Sequence, residues 1–242
     1  MKRIIRLGIL VTLFSFIVSC CFRTVPPISD SYKHQNESDV PLDPQSVLFI
    51  HGLHIPTGGQ IMGSAIIIES NESESIALSA GHVCYPEDEP YASKLDEWAV
   101  LAIDISGEPM PMKQIGLDLV NDICVFKIPI STDHVTSIAE TMPVIGHRVY
   151  LGAYPHGVYM PGTLPLFEGF YSGSAGNKAE YTIPVAPGSS GGGIVNSQGE
   201  LIGIVSMALV EFENLVLAVK LNDIQNLLDA VRKNPDRLTI IR

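Results

Sequence analysis

The sequence predicts an all-β protein made of two antiparallel barrels with a helix near the C-terminal end. Three observations lead there. From Val47 onward, short apolar runs alternate with turns, the spacing of barrel strands rather than of helices. A polar stretch over 131–141 divides those runs into two sets. Helical periodicity recurs where Ile224, Leu227, Leu228 and Val231 follow i, i+3, i+4 and i+7. With 242 residues, 46% of them hydrophobic but 7% aromatic, the chain can bury a large and mainly aliphatic core.

The elements follow in order. The first set of strands is expected over 47–52, 64–68, 76–78, 98–103 and 123–129. The second is expected over 148–153, 166–171, 181–185, 193–196, 201–207 and 215–219. Asn196-Ser197-Gln198-Gly199 is a hairpin turn within the second set. The helix is expected over about 222–234, started by Asn222 or Asp223, favoured by Arg232 and Lys233 in its last turn and ended by Pro235. The acidic stretch 86–90 reads as a solvated loop, because it lacks the ligand spacing and glycine of a calcium loop.

The N-terminus reads as a targeting segment. Lys2, Arg3 and Arg6 precede an uncharged apolar run from Leu7 to Val18, too short for an ordinary membrane-spanning helix. Ile17-Val18-Ser19-Cys20 resembles a bacterial lipobox, in which cleavage precedes the cysteine and its thiol carries lipid. The expected organisation is a signal peptide over 1–19, a polar proline-containing tether over 20–45 and a folded domain over 46–242. Its two barrels would lie over about 46–130 and 143–221. The expected location is the bacterial cell envelope, lipid-anchored through Cys20, with a secreted or periplasmic protein as the alternative. The net charge of −11 argues against a nucleic-acid partner. Cys84 and Cys124 lie two positions beyond His82 and Asp122; an exported chain permits a bridge between them, and buried thiols fit equally. Neither Cys-x-x-Cys nor His-x-x-x-His occurs, so no metal and no cofactor is expected.

Chemistry enters with Pro187-Gly188-Ser189-Ser190-Gly191-Gly192-Gly193. Small residues let this run turn tightly, with a serine at its tip. Such a turn can aim the N–H groups of Gly188 and Ser190 at one point and stabilise an oxyanion. Upstream, the apolar run 76–78 leads into Ser79-Ala80-Gly81-His82, and Asp122 opens the apolar run that follows it. A serine hydroxyl needs a base, histidine titrates in the right range, and a carboxylate fixes the imidazole tautomer. The order His82, Asp122, Ser190 is that of chymotrypsin-like enzymes.

On these residues the chain resembles bacterial trypsin-like serine proteases, and among them the protease domain of the HtrA group. Gly63-Ser64-Ala65, 146–155, 199–206 and 214–219 extend the likeness over roughly 46–234. Ser189, Gly193 and Gly81 depart from the commoner residues, and no PDZ segment is evident before Arg242. The resemblance implies two six-stranded barrels of the chymotrypsin-like type and a serine endopeptidase acting on protein or peptide substrates, with no implication for oligomeric state. It assigns His82, Asp122 and Ser190 as catalytic and Ser206 as the serine supporting the aspartate. It places the substrate pocket at Val185, Met207 and Ala208, apolar and without a counter-charge for basic side chains. An inactive binding protein on the same fold, or a hydrolase of non-peptide acyl groups, are the alternatives.

Overall fold

The structure, a computed structural model, describes residues 40–85, 98–209, 214–235 and 237–241. The signal-like segment, Cys20 and Cys21, the tether up to residue 39 and the acidic stretch 86–90 lie outside them.

The first half carries β1 (Val47–His54), β2 (Gln60–Ser70), β3 (Ser75–Ala80), a single helical turn α1 (Gly81–Cys84), β4 (Trp98–Ile103), β5 (Pro109–Pro111), β6 (Lys113–Asp118) and β7 (Ile123–Ile128). The second carries β8 (Arg148–Gly152), β9 (Leu166–Ala175), β10 (Lys178–Thr182), β11 (Gly193–Val195), β12 (Leu201–Ala208) and β13 (Leu215–Lys220). Helix α2 (Leu221–Lys233) and a last strand β14 (Thr239–Ile241) follow.

The second half is a closed barrel in the order β10-β13-β12-β11-β8-β9. The first half differs from the six-stranded barrel expected. It is an eight-stranded sheet in the order β14-β6-β7-β3-β2-β1-β4-β5. Only Met112 separates β5 from β6, although they sit near opposite ends of that order, so the sheet must curl back on itself. Pro109 and Pro111 lack the N–H groups a full ladder would need, which leaves β5 at an edge. β14 adds to the other edge, parallel to β6, with Ile241 opposite Asp118 and the Leu119 N–H donating to Ile241 O at 3.0 Å. Neither β5, β6 nor β14 has an apolar run long enough to announce a strand.

Strands β1, β3 and β7 are nearly continuously apolar because both faces are covered. In β1, Leu48 and Ile50 point into the half-barrel with Ala65, Ile67, Cys124 and Phe126. Val47 and Phe49 point the other way, into a core shared with Tyr150, Val195, Ile204 and Val219 of the second barrel. The apolar stripe of α2 closes that shared core with Ile224, Leu227, Leu228 and Val231. A third core, with Leu151, Tyr181, Ile194 and Ile202, fills the closed barrel.

Two boundaries shift. Helix α2 starts at Leu221 directly from β13, and Lys220 stands at its N-cap without a capping side-chain bond. Asn222 and Asp223 therefore lie inside the first turn, where the Asp223 carboxylate suits the helix dipole. The folded body also begins before residue 46. Leu42 is 3% exposed and packs over Gly152. Asp43 accepts from Gln45 N and meets His134 at 2.7 Å. Leu42→Ala should therefore destabilise the domain by about 2–4 kcal/mol in urea unfolding. A cost below about 0.5 kcal/mol would show that residues 40–45 are tether after all.

Candidate active site

The ladder between β3 and β7 pairs Ala80 with Ile123. The residues just outside that pair, Gly81 and Asp122, consequently face each other, and a side chain on Gly81 would sit 3.0 Å from Asp122 Oδ1. The turn of α1 then swings His82 over the carboxylate. His82 N donates to Asp122 Oδ1 at 2.8 Å, and ring Nδ1 lies 3.0 Å from both carboxylate oxygens. With Nδ1 so engaged, Nε2 is left for other chemistry. Cys84 and Cys124, left open by the sequence, form a disulfide with Cα atoms 6.5 Å apart. It ties the histidine turn to the strand that Asp122 opens.

Asp122 adopts φ +59°, a left-handed conformation that costs a non-glycine residue roughly 1–3 kcal/mol. The preceding turn is held by Asp118, 2% exposed, whose carboxylate accepts from Val120 N, Asn121 N and Asn121 Nδ2 at 2.8–3.0 Å. Ser206 reaches in from the second barrel. The β12–β13 register shifts between Val205 and Met207, and Ser206 Oγ donates to Asp122 Oδ2 at 2.5 Å. Lys178 Nζ in turn donates to Ser206 Oγ at 3.0 Å and to Asn121 O at 2.8 Å. Burial alone would push the Asp122 carboxyl up; the His82 ring bond and charge, the Ser206 hydroxyl and the His82 N–H together outweigh it and hold it below the usual carboxylate range.

Ser190 sits on a turn closed by Ser189 N donating to Ala186 O at 2.9 Å. Pro187 and Gly188 occupy its middle positions and Gly188 has φ +95°, the pattern of a type II turn. The turn is anchored from outside. Ser64 Oγ donates to Gly188 O at 2.9 Å and accepts from Tyr154 N at 3.0 Å, while Ser64 N donates to Ser190 O at 2.8 Å. His156 N donates to Pro187 O at 2.5 Å. Among the described residues, the N–H groups of Gly188 and Ser190 have no hydrogen-bond partner.

The turn lies against the histidine segment. Any side chain at Gly191, φ +85°, would strike Ser64 O, Ser79 Oγ and Ala80 N. Gly63 is flanked on one side by Val83 and on the other by Ser190 O, 3.2 Å from where its Cβ would be. The serine turn thus packs against the segment 79–83 that carries His82, and among the described residues no hydrogen bond joins the side chains of Ser190 and His82.

The expected pocket residues separate. Met207 is 53% exposed and, with His82, Tyr85, Leu119, Val120 and Lys178, lines a cleft of about 300 Å³. Val185 is half-buried beside the third core, Ala208 is exposed, and neither lines that cleft.

Residues 63–204 match the model of the trypsin-like peptidase domain. The chain belongs to that family. Curated relatives of this trypsin-like chain include the "Serine protease HtrA-like" proteins of Staphylococcus aureus strains USA300 and N315, 30% identical over 136 residues that cover 48% of this chain. The match spans only 17% of the relatives' length. Similar solved structures include an HtrA-type protease with a tripeptide, at TM-score 0.66 and 17% identity, covering 81% of this chain and 63% of that one. A serine endoprotease from Yersinia pestis follows at 0.64 and 20%, covering 83% and 69%. The active form of a protease from M. tuberculosis stands at 0.64 and 15%, covering 81% and 91%. At these identities the structures speak for the fold alone.

Three side chains of this site, Ser64, Asp118 and Lys178, carry no role in a sequence reading. Ser64 lies within a motif, but only the structure shows it bridging to the serine turn. Because folding depresses the Asp122 pKa, the stability it contributes is complete above the ordinary value of 3.8 and is lost as pH falls through the lower folded value. The difference in unfolding free energy between wild type and Asp122→Asn should accordingly shrink from about pH 5 to about pH 2. A difference that stays constant over that window would contradict this account of the carboxylate.

Proposed function

We infer that the chain is a serine endopeptidase that cleaves peptide bonds through an acyl-enzyme. The observation that carries the reading is the pair of unpartnered N–H groups, Gly188 and Ser190, on a turn packed beside the His82–Asp122 pair. Two donors converging where an attacked carbonyl oxygen gains charge are what acyl transfer requires. Ser190 Oγ attacks the scissile carbonyl, and His82 Nε2 takes its proton. Asp122 holds Nδ1 and balances the imidazolium, supported by Ser206. His82 then returns the proton to the leaving amine, and water releases the acyl group by the reverse sequence. The contact between base and nucleophile tightens when substrate fills the site. A structural relative holds a tripeptide, and a peptide chain suits the groove beside Met207 here. The apolar Met207 in that groove favours uncharged side chains with weak discrimination.

A fluorophosphonate probe should label wild type at Ser190 and leave folded Ser190→Ala unlabelled. His82→Ala should slow labelling by roughly three orders of magnitude or more, since triad members act as a unit. Labelling of Ser190→Ala at the wild-type rate would refute the mechanism.

The reading extends to an envelope location. The basic start, the apolar run and Ile17-Val18-Ser19-Cys20 support a lipid-modified Cys20 at the mature N-terminus, holding the protease at a membrane. More than one acyl chain is needed for stable anchoring. Mass spectrometry of the mature protein should find a lipidated Cys20; an unmodified terminus elsewhere would instead make the protein secreted or periplasmic.

A further inference from the structure

Lys178 has no part in the reaction just described, yet it touches the machinery at two points. It opens β10, on the second barrel, and its side chain reaches the aspartate turn of the first half. One bond goes to Ser206 Oγ, at 3.0 Å. An ammonium has no acceptor, so Lys178 must be the donor there. The Ser206 hydroxyl has one proton, and with a lone pair taken by Lys178 that proton is directed at Asp122 Oδ2. The other bond goes to Asn121 O, at 2.8 Å. That carbonyl belongs to the peptide whose rotation sets φ of Asp122, the residue held at +59°.

We propose that Lys178 is a positioning residue, setting the Ser206 hydroxyl toward Asp122, fixing the peptide that leads into Asp122, and tempering as a fixed cation the carboxylate's hold on the His82 imidazolium. The proposal rests on the reading of His82, Asp122 and Ser190 as a triad. The charged groups around the lysine are Asp122 and Asp118 of the β6–β7 turn, Asp223 of α2 and Lys220 at the end of β13; His82 and Tyr85 face the same cleft. Burial lowers the Lys178 pKa, with the carboxylates of Asp122, Asp223 and Asp118 pulling the other way. A cation beside the Asp122–His82 pair opposes positive charge on the ring, so the acid limb of the reaction reads whether that cation is present.

The experiment measures the second-order rate of fluorophosphonate labelling against pH for wild type, Lys178→Met and Lys178→Arg, beside the melting temperature of each. Lys178→Met should slow labelling about tenfold and move the acid limb up by about half a unit, while remaining folded. Lys178→Arg, which keeps the charge, should return the limb toward its wild-type position. A merely structural lysine would change the melting temperature and leave the limb in place. Wild-type rate and limb in Lys178→Met would overturn the proposal, as would a slowed rate with an unmoved limb. If Lys178→Met does not fold, Lys178→Gln decides on the same two readings. Failure of wild type itself to label would strike the triad reading, and the proposal with it.

Discussion

The carboxylate of Asp122 is the point on which this site hangs. Four groups meet it: the His82 ring and backbone N–H, the Ser206 hydroxyl and, through that hydroxyl, Lys178. A carboxylate drawn this far out of water is costly unless donors replace the water it loses. The donors come from both halves of the fold, so the charge is compensated only when the two barrels are docked. The same docking buries the shared core between β1 and the second barrel. Apolar packing and the polar network therefore select the same relative placement of the halves.

Ser64 does the corresponding work at the serine turn. It lies on β2, fully buried, yet its hydroxyl joins Gly188 O to Tyr154 N across the junction. The turn is thus held by a strand of the opposite half, while its own N–H groups at Gly188 and Ser190 stay unengaged. Keeping two donors unpaired is unfavourable for the turn by itself and is sustained by the bonds around it. Glycine at 188 and 191 permits the positive φ at both and the close approach of the 154–157 loop to Gly188 and of β2 and β3 to Gly191.

Much of this was legible in the sequence, for definite reasons. The apolar run 123–128 announces its strand because it is buried almost throughout, and 98–103 because Val100 and Ala102 pack on the half-barrel core. The periodicity of Ile224, Leu227, Leu228 and Val231 announces α2 because that stripe meets the core. His82 and Asp122 stand out in the sequence because a base and the carboxylate that orients it restrict residue type, and the structure brings the two together. What escaped lacks such a pattern. β5 has a proline at each end, β6 has glycine within it, and β14 is three residues long and depends on β6 for its pairing. Lys178 follows an ordinary glycine–asparagine turn, and nothing local distinguishes it from a solvated lysine. Leu42 stands among prolines and acids, so only its tertiary partners reveal that it is core.

The parallel strand β14 has a consequence for how the molecule is assembled in time. It completes the ladder beside β6, and the Leu119 N–H bonds to Ile241 O at the start of the turn that Asp118 organises for Asp122. A chain made from its N-terminus offers β1 to β7 to the solvent long before residues 239–241 exist. The first half can curl early, but the edge next to the aspartate turn closes only when β14 arrives. Chain growth thus makes the scaffold first and closes the edge beside the aspartate turn later, with β14 as the latch.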